Sequence, residues 1–177
     1  MTPEFATAAP EKSPVGTRLR HVLGIDPGLH LTGYAVLRIA RQPQLMEAGV
    51  IRGAASGPLP LRLADLHRQI AEIIDEFSIS HVGVEQLYAH YRHPRTAILM
   101  GHARGVILLA AGDRGVPVID LPSTQVKKTF TGNGHATKKQ MQKTAAGRFN
   151  LAKPPSPPDV ADAIAIAYVL AMRLSPR

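Results

Sequence analysis

The chain has 177 residues, an apolar fraction of 45% and a formal net charge of +8. This length suits one domain with a buried core. No apolar run approaches the roughly 18 residues of a membrane span, no basic segment and apolar core form an N-terminal secretion signal, and the lack of cysteine excludes disulfides and thiolate metal sites. We therefore expect a cytoplasmic protein with no role in a membrane.

The positive charge is concentrated in residues 121–158. This segment holds seven Lys and Arg residues and no Asp or Glu, whereas the rest of the chain holds 14 basic and 13 acidic residues. Such a patch is often a solvated surface. A polyanionic partner, most simply nucleic acid, explains the concentration better. Several Gly and Pro residues interrupt the segment, which argues against a long amphipathic helix on an anionic membrane.

Residues 1–19 are rich in Ala, Pro and Thr without periodicity, which predicts a disordered tail before a single domain at 20–177. Three strands are predicted at 20–25, 31–39 and 45–52, separated by short breaks that favour an antiparallel meander. The first break contains Asp26-Pro27-Gly28, where Pro27 fixes φ and Gly28 supplies a conformation that other residues avoid.

Strands and helices alternate after the meander. The predicted helices cover 61–77, 95–111, 123–131, 137–149 and a final segment from Pro157 or Pro158 to about 174, and the predicted strands cover 81–85 and 116–121. The pattern predicts an α/β fold, a mixed sheet with helices on its faces.

Four carboxylates occur where a folding argument does not require them. Asp26 and Glu85 end two apolar strands, and Asp159 and Asp162 lie three residues apart at the start of an apolar helix. Asp26 could be a turn residue, Glu85 a salt-bridge partner and Asp159 an acid favoured by the helix dipole. Asp162 is harder to explain, since every residue between it and Arg173 is apolar or Tyr, which predicts a buried helix.

If the four acids converge, they repel one another. Two carboxylates about 4 Å apart cost roughly 4 kcal/mol at an effective dielectric near 20, and their pKa values rise. Divalent ions remove this repulsion, and two ions about 4 Å apart suit in-line displacement at phosphorus. Ligation by oxygen alone favours Mg²⁺ or Mn²⁺ over zinc.

Several blocks of the chain resemble the RuvC family of Holliday junction resolvases. They occur in family order over about residues 20–172. The blocks are Gly24-Ile25-Asp26-Pro27-Gly28, Thr32-Gly33-Tyr34, Val84-Glu85-Gln86, Gly101-His102-Ala103-Arg104-Gly105-Val106, Gln125-Val126-Lys127-Lys128 and the run from Asp159 through Asp162 to Ala167.

The resemblance implies a ribonuclease H-like fold with a central five-stranded mixed sheet. It implies a homodimer that nicks two strands of a four-way DNA junction symmetrically in homologous recombination and DNA repair, together with a branch-migration helicase. Asp26, Glu85, Asp159 and Asp162 match the family's catalytic acids, which hold two Mg²⁺ ions.

The resemblance also assigns DNA contacts. Tyr88 falls where the family has an aromatic residue, usually Phe, at the junction centre. Lys127 and Lys138 match basic positions that meet the scissile-strand phosphates. Their neighbours Lys128 and Lys139 are expected to contact the backbone more generally.

Three other functions remain open at the level of sequence. Asp26-Pro27-Gly28 and Gly33 superficially resemble the phosphate loop of sugar kinases and actin-like ATPases, although those folds need two such lobes. The acids could be structural in a non-catalytic nucleic-acid-binding module. A ribonuclease H-type enzyme that cuts RNA in hybrids would have the same fold.

Overall fold

The computed structural model describes residues 5–6, 20–28, 31–52, 57–86 and 94–175. The strands are β1 (Phe5–Ala6), β2 (His21–Asp26), β3 (Thr32–Arg38), β4 (Gln44–Ile51), β5 (Ile79–Glu85) and β6 (Val118–Leu121). The helices are α1 (Leu59–Glu76), α2 (Pro94–Gly112), α3 (Ser123–Thr131), α4 (Lys138–Arg148) and α5 (Pro158–Leu174). Every element predicted from the sequence is present, with ends shifted by at most two residues.

The strands form one mixed sheet in the order β1-β4-β3-β2-β5-β6. Strands β2, β3 and β4 form the predicted antiparallel meander, and β5 and β6 join it in parallel with β2. The five predicted strands are therefore confirmed, and the two residues of β1 add a sixth by pairing with β4. The rest of 1–19 lies outside the described residues, so the disordered tail stays a prediction.

Alternating side chains of the strands point into two hydrophobic cores. Leu23, Ile25 and Val36 face α1 and α2 on one side of the sheet. Val22 and Leu37 face α3, α4 and α5 on the other. The result is three layers with the sheet in the middle, as the alternation of elements predicts.

Helix α5 lies unusually close to the sheet because glycines face it. An ideal Cβ on Gly24 of β2 would lie 2.4 Å from the Ala167 nitrogen. An ideal Cβ on Gly83 of β5 would lie 3.1 Å from a methyl carbon of Ile166. The buried helix predicted from the apolar sequence is confirmed. Because Gly24 and Gly83 have no side chains, the helix packs closer to the strands than larger residues would allow.

The structure shows why the turn after β2 needs glycine at position 28. Among the described residues, positive φ angles at glycine occur at Gly115 and Gly132, not at Gly28. An ideal Cβ on Gly28 would lie 1.9 Å from the Leu31 carbonyl oxygen, so the turn needs glycine for close approach.

The turn between α3 and α4 is closed by caps at both ends. Gly132 ends α3 with φ of 84°, and its N–H donates to the Lys128 carbonyl over 2.9 Å. Thr137 begins α4 with a capping box, in which Thr137 and Gln140 each accept the other's backbone N–H. These caps set the relative direction of two basic helices.

No helix within the described ranges is both long and apolar enough to cross a membrane.

Candidate active site

Asp26 and Glu85 end neighbouring strands at the same edge of the sheet. The parallel pairing of β2 with β5 runs up to Ile25 opposite Val84, and the two acids are the next residues. Asp26 comes two residues after Gly24, and Glu85 comes two residues after Gly83. Both glycines face α5. Because side chains alternate along a strand, Asp26 and Glu85 also face α5.

The first turn of α5 brings the other two acids to this edge. Asp26 pairs with Gly33 across β2 and β3. An ideal Cβ on Gly33 would lie only 2.2 Å from the Asp159 carbonyl oxygen. Asp159 therefore lies directly over the strand residue beside Asp26, and Asp162 follows one turn later on the same helix face.

The electrostatics of Asp26 show that the four acids share one site. Burial raises the pKa of Asp26 to about 8, and repulsion from Asp162, Glu85 and Asp159 adds to the rise. Burial also raises the pKa of Asp162 to about 6, helped by Glu85 and Asp159. At Asp26 and Asp162, burial and repulsion between the acids thus oppose ionisation more strongly than the nearby lysines favour it.

Two lysines of the basic segment reach the acids. The Lys138 ammonium nitrogen lies 3.9 Å from Asp159 Oδ1 and lowers the pKa of both Asp26 and Asp162. Lys127 lowers the pKa of Asp162. The neighbouring Lys128 and Lys139 have exposed side chains. Tyr88, also predicted to contact DNA, lies outside the described residues.

Arg148 holds the basic helices against α5. Its guanidinium carbon lies 4.4 Å from the ring centre of Tyr168 in α5, and Nη1 donates to the Tyr168 hydroxyl over 2.8 Å. Nη2 donates to the Phe130 carbonyl of α3 over 3.1 Å. One side chain of α4 therefore links α3, which carries Lys127, to the helix that carries Asp159 and Asp162.

The donor set fits hard divalent cations. All four acids offer oxygen ligands, and the pKa of Asp26 is raised first by burial and then by repulsion from the other three acids, both of which a bound cation would offset. Among the described residues, no three Asp, Glu or His side chains already stand in a metal-binding arrangement. Carboxylates that repel one another are expected to stand apart until a cation lies between them.

Comparison with known proteins decides the family. The model of the family described as crossover junction endodeoxyribonuclease RuvC matches residues 22–169. The chain belongs to the RuvC family. A RuvC protein of Rhodopirellula baltica is 51% identical over 147 residues, which cover 82% of this chain and 83% of the relative. RuvC of Pseudothermotoga lettingae is 36% identical over 148 residues, 83% of this chain and 91% of the relative.

Solved RuvC structures have the same fold. Thermus thermophilus RuvC superposes with a TM-score of 0.76 at 31% identity, covering 87% of this chain and 96% of that one. The same protein in complex with a Holliday junction substrate gives a TM-score of 0.78 at 32% identity, with the same coverage. The predicted ribonuclease H-like fold is confirmed.

Two features of the site were not recognised from the sequence. Gly24, Gly33 and Arg104 lie in blocks that resemble RuvC, but the pattern alone does not show what each contacts. The structure shows that the two glycines admit α5, and that Arg104 reaches the main chain of Glu85. The resemblance assigns Lys127 and Lys138 to the scissile-strand phosphates and Lys128 and Lys139 to the backbone more generally, and these DNA contacts stay predictions.

Proposed function

We propose that this RuvC-family protein is a structure-specific DNA endonuclease that resolves four-way junctions by paired symmetric nicks in homologous recombination and DNA repair. One observation carries the proposal: four acids from three separate elements act on one another beside Lys127 and Lys138. Family membership supplies the substrate class, since a relative was solved in complex with a Holliday junction substrate.

In this proposal Asp26, Glu85, Asp159 and Asp162 are the catalytic residues and hold two Mg²⁺ ions, with Mn²⁺ able to substitute. Bound divalent ions supply the Lewis acidity that in-line displacement at phosphorus requires. The four carboxylates would hold these ions, which would supply that chemistry at the scissile phosphodiester. Attack by water forms a new P–O bond, and the bond from phosphorus to the leaving sugar oxygen breaks.

Lys138 and Lys127 are proposed to hold the scissile-strand phosphate against the acids. Lys138 faces Asp159. A scissile-strand phosphate bound beside the acids would offer the ammonium group a second anionic partner. Lys128 and Lys139 are proposed to contact the backbone farther along the strand, and Tyr88 to contact the junction centre.

The outer face of α2 supports the proposed homodimer. This face consists of Ile98, Gly101, Gly105, Leu108 and Leu109. Ile98 and Leu109 are 61% and 55% exposed, and an ideal Cβ on either glycine would meet nothing within 4 Å. Exposed apolar side chains on either side of two glycines on one helix face allow the backbone of a second copy to approach closely.

A dimer also matches the proposed substrate. One chain contains one set of four acids, whereas symmetric resolution of a junction requires two cuts. Two copies related by a twofold axis would present two equivalent sites. The proposed association with a branch-migration helicase, and the cytoplasmic location, rest on family membership alone.

Cleavage of a synthetic mobile four-way junction tests the function. Wild-type protein should nick the junction in paired strands with Mg²⁺, should not do so in EDTA, and should leave linear duplex intact. Asp26→Asn and Glu85→Gln should abolish cleavage and leave junction binding nearly unchanged, whereas Glu76→Gln, an exposed acid at the end of α1, should cut normally.

The result also separates the alternatives. Faster cleavage of an RNA–DNA hybrid than of the junction would indicate a ribonuclease H-type enzyme that cuts RNA in hybrids. Junction binding without Mg²⁺-dependent cleavage of any substrate would indicate a non-catalytic module. Wild-type cleavage by Asp26→Asn or Glu85→Gln would show that the site assignment is wrong.

A further inference from the structure

Arg104 links helix α2, which carries the exposed apolar face, to the main chain of Glu85, a proposed catalytic acid. It lies on α2, between buried Ala103 and exposed Gly105. Its Nη1 donates to the Glu85 carbonyl oxygen over 3.1 Å, and its Nη2 forms an ion pair with Asp120 over 2.5 Å. Its side chain is only 16% exposed.

These contacts occur where the sheet no longer supports Glu85 on both sides. The pairing of β2 with β5 ends at Ile25 and Val84, one residue before Glu85. On the other side, the N–H of Gln86 donates to the Leu121 carbonyl over 3.0 Å. Arg104 therefore provides a donor to the last carbonyl of β5 from the side of α2.

Asp120 fixes the arginine in turn. Asp120 pairs with Val84 across β5 and β6, so both side chains point to the same side of the sheet, where α2 lies. Glu85, the next residue, points to the opposite side, toward α5. The guanidinium thus bridges two strands on one face and fixes a backbone whose acid acts on the other face.

We propose that Arg104 is a positioning residue of the nuclease site, fixing the main chain at Glu85 through its guanidinium. This inference rests on the proposed function for the role of Glu85. Arg104 does not touch the substrate, because its guanidinium is largely covered and already engaged. Loss of an outer partner of a metal-ligating acid typically reduces metal affinity or activity roughly 10- to 100-fold.

The planar guanidinium is suited to this role. Two of its N–H groups reach two acceptors on different strands at once, whereas a lysine ammonium is a compact point charge on a flexible stem. Arg104→Lys should therefore fold like wild type and restore only part of the function. It keeps the inference testable if Arg104→Ala folds poorly.

Arg114→Ala is the matched control. Arg114 donates from Nε and Nη2 to the two carboxylate oxygens of Asp75, each over 2.8 Å. That pair joins the end of α2 to the end of α1, near the start of β5 and therefore at the opposite edge of the sheet from Glu85. Arg114→Ala therefore removes a comparable arginine contact at a distance from the four acids.

The test compares junction cleavage and Mg²⁺ binding by full-length wild type, Arg104→Ala, Arg104→Lys and Arg114→Ala. Arg104→Ala should lower kcat roughly 10- to 100-fold with little change in KM, and should raise the Mg²⁺ concentration needed for half-maximal rate. Added guanidinium chloride at low concentration should restore part of the rate. Arg104→Lys should be intermediate, and Arg114→Ala should match wild type in kcat and Mg²⁺ requirement.

A readout without DNA separates this inference from the proposed function. Mg²⁺ alone should raise the Tm of wild type and Arg114→Ala more than that of the two Arg104 variants. An equal rise in all four proteins would overturn the positioning role, as would unchanged kcat in the Arg104 variants. If wild type cuts no junction, the proposed function fails, and the Mg²⁺-dependent Tm still decides whether Arg104 orders Glu85.

Discussion

Gly33 and Asp159 approach so closely that no side chain fits between strand β3 and the first turn of α5. An ideal Cβ on Gly33 would lie 2.2 Å from the Asp159 carbonyl oxygen. The contact is with backbone, so it cannot be relieved by turning a flexible side chain. The position of Asp159, a proposed catalytic acid, therefore depends on residue 33 being glycine, which has a hydrogen atom where alanine has a methyl group.

Gly33→Ala should shift the start of α5 and with it both Asp159 and Asp162. We expect the free energy of unfolding to fall by about 1–3 kcal/mol and junction cleavage to fall by at least an order of magnitude. Denaturant titration and cleavage rates measure the two effects. Gly147→Ala is the control, since its Cβ meets nothing within 4 Å. Normal cleavage by Gly33→Ala would show that α5 tolerates the shift.

The stability of the metal-free protein should depend on the ionisation of Asp26. Its pKa is raised from 3.8 to about 8 in the folded state, so between these values the folded chain holds a proton that the unfolded chain has released. Stability from this group is complete below the unfolded pKa and is lost as pH rises through the folded pKa. The loss approaches about 1.4 kcal/mol per pH unit.

Asp26→Asn removes this dependence. In EDTA, the variant should become steadily more stable relative to wild type as pH rises from about 5 to about 8, with no further change above that range. Chemical denaturation at each pH measures the difference. Saturating Mg²⁺ should reduce it by stabilising wild type. A difference that does not vary with pH would argue against the raised pKa.

Lys138→Ala should reduce the salt dependence of junction binding. One phosphate contact per protomer contributes about 0.9 to the slope of log affinity against log salt concentration. The slope should therefore fall by about one per protomer, measured in EDTA to prevent cleavage. Arg173→Ala, an exposed residue at the other end of α5, should leave the slope unchanged. An unchanged slope for Lys138→Ala would exclude a phosphate contact.

Charging the outer face of α2 should separate the proposed dimer. Ile98→Asp combined with Leu109→Asp should give a monomer by light scattering and should replace paired nicks with slow, single nicks. Leu61→Asp provides a control of equal exposure, since Leu61 on α1 is also 61% exposed. A monomeric wild type, or a double variant that remains dimeric, would contradict the use of this face.

The sequence by itself predicted the elements and the family, which are confirmed, and it led to the proposal of four catalytic acids. Short apolar runs located the strands that end at Asp26 and Glu85, and the longer apolar run after Asp162 identified a buried helix, because buried elements need apolar side chains on nearly all sides. The blocks that resemble RuvC then indicated which acids belong together.

Only the tertiary structure decided how the acids meet and what holds them. The closeness of α5 depends on Gly24 and Gly33, whose role comes from the helix packed above them and not from their neighbours in the chain. The bond from Arg104 to Glu85 joins residues 19 positions apart through the folded backbone. Such contacts form when separate elements pack together, and no local pattern in the sequence encodes their distances.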